Sequence, residues 1–358
     1  MKIAIIGAGR VGSLIAKLFV NSGDYDVLAV DCNDDALREL VASGVDSIIN
    51  MDVSDATMLK EVVMGYDALV CACPSHLSPA IAMVARQIDA HYFDLCESSN
   101  STTEVIKLSE GSKKVFIPQC GVSPGFVSIV TRKLASKFQN DMNICIRVGA
   151  LPRYPANRMK YGLSWDTHDL YKEYTEPCDA IRDGNLTQLL PLTELESISL
   201  DGQNLEAFTT ANGMGSLCES LDGKVKNLIF KTIRYPQHLD KLLMLMDDFG
   251  MRKRADLFRM VMENGMPIVE NDVVIMFITV TGLINKRQTQ ESYVHRIYNQ
   301  EIGGKKYSAL STTSAAATCA IVDLVNSGRI TSSGFVPQED IDYDDFMNNH
   351  FMQSIKLD

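Results

Sequence analysis

The chain has 358 residues, of which 46% are hydrophobic and 22% charged, fractions that are ordinary for a globular protein with a sizeable core. Its formal net charge of −11 at pH 7 argues against nucleic acid and against an anionic membrane surface as partners. The longest apolar stretch, residues 273–280, is far shorter than a bilayer span, and Met1-Lys2 leads directly into a strand, so we expect a cytoplasmic protein. The nine cysteines include no Cys-x-x-Cys pair, and we expect neither a disulfide framework nor a metal site.

Three closely spaced glycines follow the first apolar run. Residues 3–6 lead into Gly7, Gly9 and Gly12, which have the spacing Gly-x-Gly-x-x-Gly, and an amphipathic segment comes next. Gly7 permits a tight turn, Gly9 allows a pyrophosphate to approach the backbone, and Gly12 allows the next helix to lie close to the sheet. The pattern predicts a dinucleotide site in which helix N–H groups face the phosphates. The alternative is a Rossmann-like domain that binds no dinucleotide.

A carboxylate stands where the adenosine ribose of a dinucleotide would lie. The apolar run over residues 27–30 ends at Asp31, about 20 residues beyond the glycines. Asp31 would bond to a free ribose diol and would repel a 2′-phosphate, so we expect NAD in preference to NADP. Arg10 could reach a phosphate, which keeps NADP open as the alternative.

Strands and helices alternate along the first third of the chain. Apolar residues at helical spacing predict helices over residues 13–21, 34–43 and 55–64 and from Pro79 onward, with Ser54 capping the third. Short apolar runs predict strands over residues 48–52, 68–73, 91–95 and 115–118. This alternation is typical of an α/β fold with a doubly wound, parallel sheet of the Rossmann type.

Ligands of such sheets bind beyond the carboxyl ends of the strands. Applied to this chain, that rule predicts a cofactor site made of Gly7, Gly9, Arg10, Val11, Gly12, Asp31, Cys32, Asp52, Val53, Cys73 and Pro74. Glu97 follows the fifth strand and belongs to the same edge. Ordinary turn chemistry explains each segment singly, so their joint placement is the argument for a site.

Beyond Gly125 the pattern changes to strand-like runs with longer connections. Strands are predicted over residues 144–151, 195–200, 205–209, 228–234, 273–281 and 292–298, and helices over residues 239–248, 252–263 and 311–326. We therefore expect a dinucleotide-binding domain over residues 1–125, rejoined by residues 311–358. An inserted α+β, mainly antiparallel domain over residues 126–310 would bind substrate and form a dimer. Exposed strand edges in this insert favour a homodimer.

Two segments of the chain have the chemistry to hold a substrate. Ser123 and Pro124, within Gly121-Val122-Ser123-Pro124-Gly125, are predicted to start a helix whose N–H groups would bind a carboxylate, with a plain cap and hinge as the alternative. Arg234 and His238 lie four residues apart at a strand-to-helix corner. Arg234 offers a planar fork for a carboxylate, and His238 would exchange a proton near neutral pH. The alternative is an exposed arginine beside a capping histidine.

Other polar residues are weaker candidates. Glu97, Tyr161 and Tyr174 could contribute to a substrate site. The segment Trp165-Asp166-Thr167-His168-Asp169 resembles a metal cluster, but no matching ligand pair stands elsewhere in the sequence. A capped helix start is therefore predicted there.

The sequence resembles the saccharopine dehydrogenase family, and within it lysine 6-dehydrogenase-type proteins. The resemblance covers nearly the whole length. It rests on Gly7-Ala8-Gly9-Arg10-Val11-Gly12, Cys120-Gly121-Val122-Ser123-Pro124-Gly125, Gly149-Ala150-Leu151-Pro152, Tyr161-Gly162-Leu163-Ser164-Trp165, Glu173-Tyr174-Thr175-Glu176-Pro177, Lys231-Thr232-Ile233-Arg234-Tyr235-Pro236-Gln237-His238, residues 314–328 and Gly334-Phe335-Val336-Pro337. Gln237 stands where the family pattern usually has glycine, and we expect this bulkier residue to narrow the corner where the amino acid would lie.

The resemblance implies a Rossmann domain interrupted by an α+β substrate domain. It also implies NAD-dependent oxidation, or the reverse reductive reaction, at the amine-bearing carbon of a lysine-like amino acid. Arg234, Ser123, Gly125 and Tyr161 are the substrate-binding candidates, and His238 and Glu97 are the catalytic ones. The strand end at Asp94 could add negative charge near the amine. A saccharopine-type or carboxynorspermidine-type reductive condensation enzyme is one alternative, and a catalytically silent nucleotide sensor is another.

Overall fold

The computed structural model describes residues 1–139 and 141–356. Its strands, in chain order, are β1 (Lys2–Ile6), β2 (Asp26–Asp31), β3 (Ser47–Asn50), β4 (Ala68–Cys71), β5 (His91–Asp94), β6 (Val115–Ile117), β7 (Met142–Pro152), β8 (Cys178–Arg182), β9 (Asn185–Leu189), β10 (Glu196–Leu200), β11 (Gln203–Thr209), β12 (Val225–Arg234), β13 (Asp272–Ile284), β14 (Arg287–Tyr298), β15 (Gln300–Ile302), β16 (Lys305–Tyr307) and β17 (Gly334–Phe335).

Helices alternate with strands in the first part of the chain and are sparser afterwards. They are α1 (Arg10–Ser22), α2 (Asp34–Ala42), α3 (Ala56–Val62), α4 (Ser78–Gln87), α5 (Ser99–Ser109), α6 (Val127–Ala135), α7 (Thr167–Thr175), α8 (Leu217–Ser220), α9 (His238–Leu243), α10 (Ala255–Gly265), α11 (Ala309–Asn326), α12 (Tyr343–Asn348) and α13 (His350–Gln353). In the described residues, no helix combines the length and the hydropathy needed to cross a bilayer.

The chain divides into two compact units. The first consists of Met1–Ile129 and Ser311–Ile355, and the second consists of Val130–Leu310 and the last three residues. The first unit contains a seven-stranded sheet in the order β17-β6-β5-β4-β1-β2-β3, and its neighbouring strands are all parallel. The expected Rossmann-type parallel sheet is confirmed.

The core of the first unit joins the sheet to its helices. Leu28 of β2, Leu69 of β4 and Phe116 of β6 pack in one cluster with Leu59 of α3 and Ile81 of α4. Because these strands are buried apolar runs of three to six residues, the hydrophobic pattern was sufficient to locate them.

Two local features of the first unit differ from the prediction. The cap of α3 is Asp55, not Ser54, because the Asp55 carboxylate accepts the N–H groups of Thr57 and Met58 at 3.1 and 3.0 Å. In addition, α5 was not predicted, since its sequence Ser-Asn-Ser-Thr-Thr-Glu-Val-Ile-Lys-Leu-Ser contains few apolar residues.

The second unit is built on a mixed sheet. Its main path runs β10-β11-β12-β7-β13-β14, and the hairpin β8–β9 joins it at β12. Most neighbours are antiparallel, as expected, but β12 runs parallel to β7. The long connection between these two strands permits a parallel crossover, which periodicity cannot reveal.

This mixed sheet buries apolar residues on both faces. Phe208 packs with Leu170 of α7, Leu239 of α9 and Phe258 of α10 in one cluster. Its neighbour on β11, Ala207, belongs to a second cluster. Since successive strand residues point to opposite faces, the helices α7, α9 and α10 cover the face that carries Phe208.

Candidate functional site

The turn between β1 and α1 contains the three predicted glycines. Gly7 has φ +104°, and a Cβ there would lie 2.7 Å from the carbonyl oxygen of Ala72. A Cβ on Gly12 would lie 1.9 Å from the carbonyl oxygen of Gly7, so α1 approaches the turn more closely than a side chain allows. A Cβ built on Gly9 meets none of the described heavy atoms within 4 Å. The backbone at Gly9 is therefore open to a phosphate.

The first turn of α1 presents backbone donors next to this opening. The helix begins at Arg10, and its N-cap, Gly9, provides no side-chain hydrogen bond to the first N–H groups. Arg10 is exposed and Val11 is half-buried. Unpaired N–H groups and the positive end of the helix dipole suit a bound pyrophosphate.

Asp31 lies at the carboxyl end of β2, against the glycine turn. Its Oδ2 accepts the N–H of Ala8 at 2.5 Å, and its Oδ1 accepts the N–H of Asn33 at 2.7 Å. The carboxylate is half-buried, and the next residue, Cys32, is exposed. The hydrogen bond from Ala8 links the end of β2 to the glycine turn and holds the carboxylate at the sheet edge.

The remaining cofactor candidates follow β3 and β4 at the same edge. Asp52 is exposed and accepts the N–H of Ser54 at 2.9 Å, which lowers its pKa. Val53 is 8% exposed and packs in the core, so only its backbone can face a ligand. Cys73 donates its thiol to a β1 carbonyl at 3.2 Å, and Pro74 beside it is exposed.

The carboxyl end of β5 contains two acidic side chains with different surroundings. Asp94 is fully buried and accepts hydrogen bonds from the N–H groups of Cys96 and Gln119, at 3.0 and 2.8 Å, and from the Tyr92 hydroxyl, at 2.9 Å. Burial raises its pKa to about 6. Asp94 therefore joins β5 to the segment after β6, and negative charge from this strand end near a substrate amine stays a prediction. Glu97, three residues beyond Asp94, is half-buried.

The segment after β6 does not start a helix at Ser123 and Pro124. Ser123 and Gly125 have non-helical φ values of −153° and 122°, the Ser123–Pro124 peptide is cis, and α6 begins at Val127. A Cβ on Gly125 would lie 2.6 Å from the carbonyl oxygen of Gln119. Because this tight turn interrupts the helical N–H pattern, the predicted helix-terminus carboxylate site at Ser123 and Pro124 is wrong.

Arg234 occupies the last position of β12 and is buried at 4% exposure. Its Nη1 donates to the carbonyl oxygen of Ile233 at 3.0 Å, and its Nη2 donates to the Tyr174 hydroxyl at 3.3 Å. The Glu173 carboxylate lies 4.0 Å from Nη2, and the Tyr161 ring lies 5.3 Å below the guanidinium. The alternative of an exposed arginine is therefore wrong.

His238, the first residue of α9, is also buried, at 2% exposure. Its Nδ1 lies 3.0 Å from the carbonyl oxygen of Met159, which only accepts, so Nδ1 carries the proton and Nε2 keeps a lone pair. Burial, and then the positive charge of Arg234, lower its pKa to about 3. The predicted proton exchange near neutral pH is therefore wrong, and His238 is a neutral hydrogen-bond acceptor in this structure.

Several buried polar atoms in this part of the second unit have no hydrogen-bond partner. Within the described part of the chain, they are Nε of Arg234, Nε2 of His238, Oη of Tyr161, Oε2 of Glu173 and Oγ1 of Thr210. Burial raises the pKa of the Glu173 carboxyl. Each unsatisfied buried group costs about 1–3 kcal/mol, so such a concentration is typical of a site that a ligand or bound water completes. We call these five residues, with Tyr174, the Arg234 cluster.

The structure gathers some of the candidates and separates others by unit. Arg234, His238 and Tyr161 lie together in the second unit. Glu97, Ser123 and Gly125 lie in the first unit, together with the cofactor candidates. Among the described residues, no group of three or more His, Cys, Asp or Glu side chains is arranged to hold a metal ion.

Sequence reasoning missed three acidic or hydroxyl residues beside Arg234 and His238. Glu173 and Thr210 belong to the Arg234 cluster, and Glu206 accepts backbone N–H groups at the corner that precedes α9. Glu173 belongs to one of the family motifs, but it was not predicted as a residue of the substrate site. No local pattern could place it beside Arg234, because 60 residues separate the neighbouring Tyr174 from Arg234 in the sequence.

Gln237 is the exposed residue of the corner between Arg234 and His238. The residue is exposed and has φ 73° in the left-handed region. Its side chain therefore faces solvent, while Arg234 and His238 on either side of it are buried. That Gln237 narrows the corner where an amino acid would lie stays a prediction.

Comparison with known proteins covers nearly the whole chain. Residues 3–116 match the sequence model of the saccharopine dehydrogenase NADP binding domain, and residues 121–357 match that of the saccharopine dehydrogenase C-terminal domain. The Trk system potassium uptake protein TrkA homolog of Pyrococcus abyssi is 25% identical over 186 residues, which are 47% of this chain and 82% of that protein.

Two solved structures share the fold. Apo saccharopine dehydrogenase (L-Glu forming) from Saccharomyces cerevisiae has a TM-score of 0.80 and 15% sequence identity, over 100% of this chain and 98% of that one. Homospermidine synthase from Legionella pneumophila, in complex with NAD, has a TM-score of 0.68 and 13% identity, over 100% and 91%. At identities this low, the structural similarity establishes the fold alone. The two matched domain models establish the family. The chain belongs to the saccharopine dehydrogenase family and is an NAD(P)-binding oxidoreductase of that family.

Proposed function

We propose that this protein uses NAD to oxidise the CH–NH₂ or CH–NH group of a lysine-like amino acid, with L-lysine, oxidised at its side-chain amine, as the first candidate. The observation that carries the proposal is the Arg234 cluster. It contains a buried donor without a partner, Nε of Arg234, and acceptors without partners at His238 and Glu173. A carboxylate satisfies the donor, and the N–H groups of an amino acid satisfy the acceptors.

The residues at the carboxyl edge of the parallel sheet fit the dinucleotide. The backbone at Gly9 and the first N–H groups of α1 would hold the pyrophosphate, and Asp31 would bond to the adenosine ribose. The bound nicotinamide would accept the hydride. The carboxylate of Asp31 and the absence of a cation directly after it support NAD over NADP.

Proton transfer must precede oxidation, because an ammonium carbon does not release hydride. We assign removal of this proton to Glu97, the half-buried carboxylate after β5. His238 instead offers its Nε2 lone pair as a hydrogen-bond acceptor that orients the substrate. Arg234 provides the opposite pole of the substrate, its carboxylate.

A reductive condensation of the saccharopine or carboxynorspermidine type is the second candidate function. Such substrates carry additional carboxylates and require additional cations. Arg153, Arg158 and Lys160 precede Tyr161 in the sequence, and the Arg153 guanidinium stacks 4.9 Å over the Tyr298 ring. A catalytically silent nucleotide sensor is the third candidate, and it leaves the unpaired atoms of the Arg234 cluster without a role.

The test is a panel of amines incubated with NAD while NADH is followed by absorbance. We expect reduction with L-lysine, and turnover of saccharopine or carboxylated polyamines alone would favour the second candidate. Arg234→Ala should raise the Michaelis constant at least about 30-fold, the ratio that corresponds to 2 kcal/mol, without changing NADH affinity. Arg182→Ala, which removes a half-buried arginine paired with Glu194, is the matched control. Silence across the whole panel would support the sensor.

We also propose that the protein is a cytoplasmic homodimer whose first unit binds the cofactor and whose second unit binds substrate and forms the dimer. The first unit contains the glycine turn and Asp31, and the second contains the Arg234 cluster and the strand edges.

A further inference from the structure

The corner between β12 and α9 has a strained residue at its tip. Arg234 ends the strand, His238 begins the helix, and Gln237 between them has φ 73° and ψ 14°. Residues other than glycine and asparagine rarely adopt this left-handed conformation, because the Cβ crowds the following carbonyl oxygen. Something in the fold must hold Gln237 in place, since relaxation of its backbone would move Arg234 and His238 apart.

Glu206 is in the right place to do this. It lies on β11 directly opposite Arg234 in the antiparallel register and is buried at 7% exposure. Its Oε2 accepts the N–H of Gln237 at 2.7 Å, and its Oε1 accepts the N–H of Leu239 at 2.6 Å. The two carboxylate oxygens thus bind the backbone on both sides of His238.

These hydrogen bonds restrain the residues that carry the site chemistry. Bonds from N–H groups to a carboxylate are shorter and stronger than those between neutral groups, and both of these bonds are short. With the peptides on both sides fixed, the His238 ring is held with Nδ1 at the Met159 carbonyl and Nε2 in the Arg234 cluster. A neutral amide cannot replace Glu206, because it offers one oxygen and would set its own N–H against a second donor.

We propose that Glu206 is a positioning residue of the substrate site, and that its carboxylate compensates for the absence of glycine at position 237. This inference rests on the proposed function only where it concerns substrate, since the restraint of the corner is a property of the free protein. Glycine at position 237 would adopt the same backbone without strain, so the carboxylate should matter less when Gln237 is replaced by glycine.

The experiment compares wild type, Glu206→Gln, Gln237→Gly and the double variant. Glu206→Gln should raise the Michaelis constant for L-lysine about tenfold, with turnover and NADH affinity changed less than twofold. In the Gln237→Gly background, the same substitution should raise it less than threefold. Glu301→Gln, which changes an exposed glutamate on β15, is the matched control and should change nothing. A merely structural defect would instead lower the active fraction, and with it the apparent turnover.

Hydrogen–deuterium exchange of residues 235–243 gives a readout that needs no substrate. Glu206→Gln should accelerate exchange in this segment at least tenfold, and Gln237→Gly should remove most of that effect. Equal effects of Glu206→Gln in both backgrounds would overturn the compensation, and unchanged exchange would overturn the positioning role. If the wild type oxidises no amine while exchange responds as expected, the proposed function fails and the restraint by Glu206 stands.

Discussion

Asp31 is the residue on which nucleotide preference depends. Its carboxylate lies between the glycine turn and the end of β2, with Ala8 and Asn33 as hydrogen-bond donors. We expect NADH to bind at least about tenfold more tightly than NADPH, because a 2′-phosphate would meet this negative charge. Asp31→Asn keeps the shape of the side chain and removes its charge. This variant should reduce the difference between the affinities for NADH and NADPH. Fluorescence titration with both reduced cofactors measures it.

Tighter binding of NADPH by the wild type would reverse this assignment. In that case Arg10, exposed in the first turn of α1, is the cation available to the phosphate. Arg10→Ala would then weaken NADPH binding and leave NADH binding unchanged.

His238 should make the fold sensitive to acid. Burial lowers the pKa of His238 to about 3 from an ordinary value near 6.5. Below pH 6.5 the ring is therefore protonated in the unfolded chain while it stays neutral in the folded chain. The stability that the neutral ring contributes is fully present above pH 6.5 and is lost as the pH falls towards 3. At pH 5 the loss is about 2 kcal/mol.

Urea unfolding at pH 7 and pH 5 measures this effect. His238→Gln should reduce the pH dependence of the unfolding free energy by that amount. The matched control, His168→Gln, replaces an exposed histidine and should leave the dependence as it is. An unchanged dependence in His238→Gln would show that the ring titrates normally.

At the scale of secondary structure, the segment over residues 165–169 had two interpretations, a capped helix start and a metal cluster. Asp166 accepts the N–H groups of His168 and Asp169 at 2.8 and 3.1 Å, so the predicted cap is confirmed. This helix carries Glu173 and Tyr174 of the Arg234 cluster.

Removal of this cap should destabilise the protein. Asp166→Ala should lower the unfolding free energy by about 1 kcal/mol, and Asp166→Ser, which restores a capping oxygen, should recover most of it. Denaturant unfolding measures the free energy of unfolding of the wild type and of both variants. The same measurement with zinc added tests the alternative of a metal cluster. Stabilisation of the wild type by zinc, lost in Asp166→Ala, would contradict the capping role.

At the scale of the whole molecule, we expect a homodimer that forms through the second unit. Among the described strands, β9 pairs with β8 alone, and its residues are uncharged. Leu186, Leu190 and Leu195 near this edge are 51%, 74% and 58% exposed. An uncharged edge strand with exposed apolar side chains favours pairing with another copy.

Light scattering at micromolar concentration tests this expectation. The wild type should have twice the mass of the chain, and Leu186→Lys should shift it towards the monomer, because a buried charge opposes strand pairing. Leu283→Lys changes another exposed leucine and is the control. A monomeric wild type would contradict the expectation.

Much of the first unit could be predicted because its signals are local. The glycines of the first turn, the buried apolar strands and the carboxylate at Asp31 lie within short windows, and each has a direct backbone or hydrophobic cause. The prediction at Ser123 failed because the turn there depends on close approach to the carbonyl of Gln119, which no local pattern encodes. The helix α5 was not predicted because few of its residues are apolar, so it has no clear hydrophobic period.

By itself, the sequence determined most strands and helices of the first unit, the dinucleotide turn and the residue types at the corner of Arg234 and His238. These follow from the period of hydrophobic residues and from the conformational freedom of glycine, which are properties of adjacent residues. Only the tertiary structure decided the surroundings of that corner. Packing of α7 and β11 brings Glu173 and Glu206 to Arg234, which lies 61 and 28 positions away from them in the chain. Burial makes His238 neutral. Desolvation and long-range contact exist only once the chain has folded, and therefore no local pattern contains them.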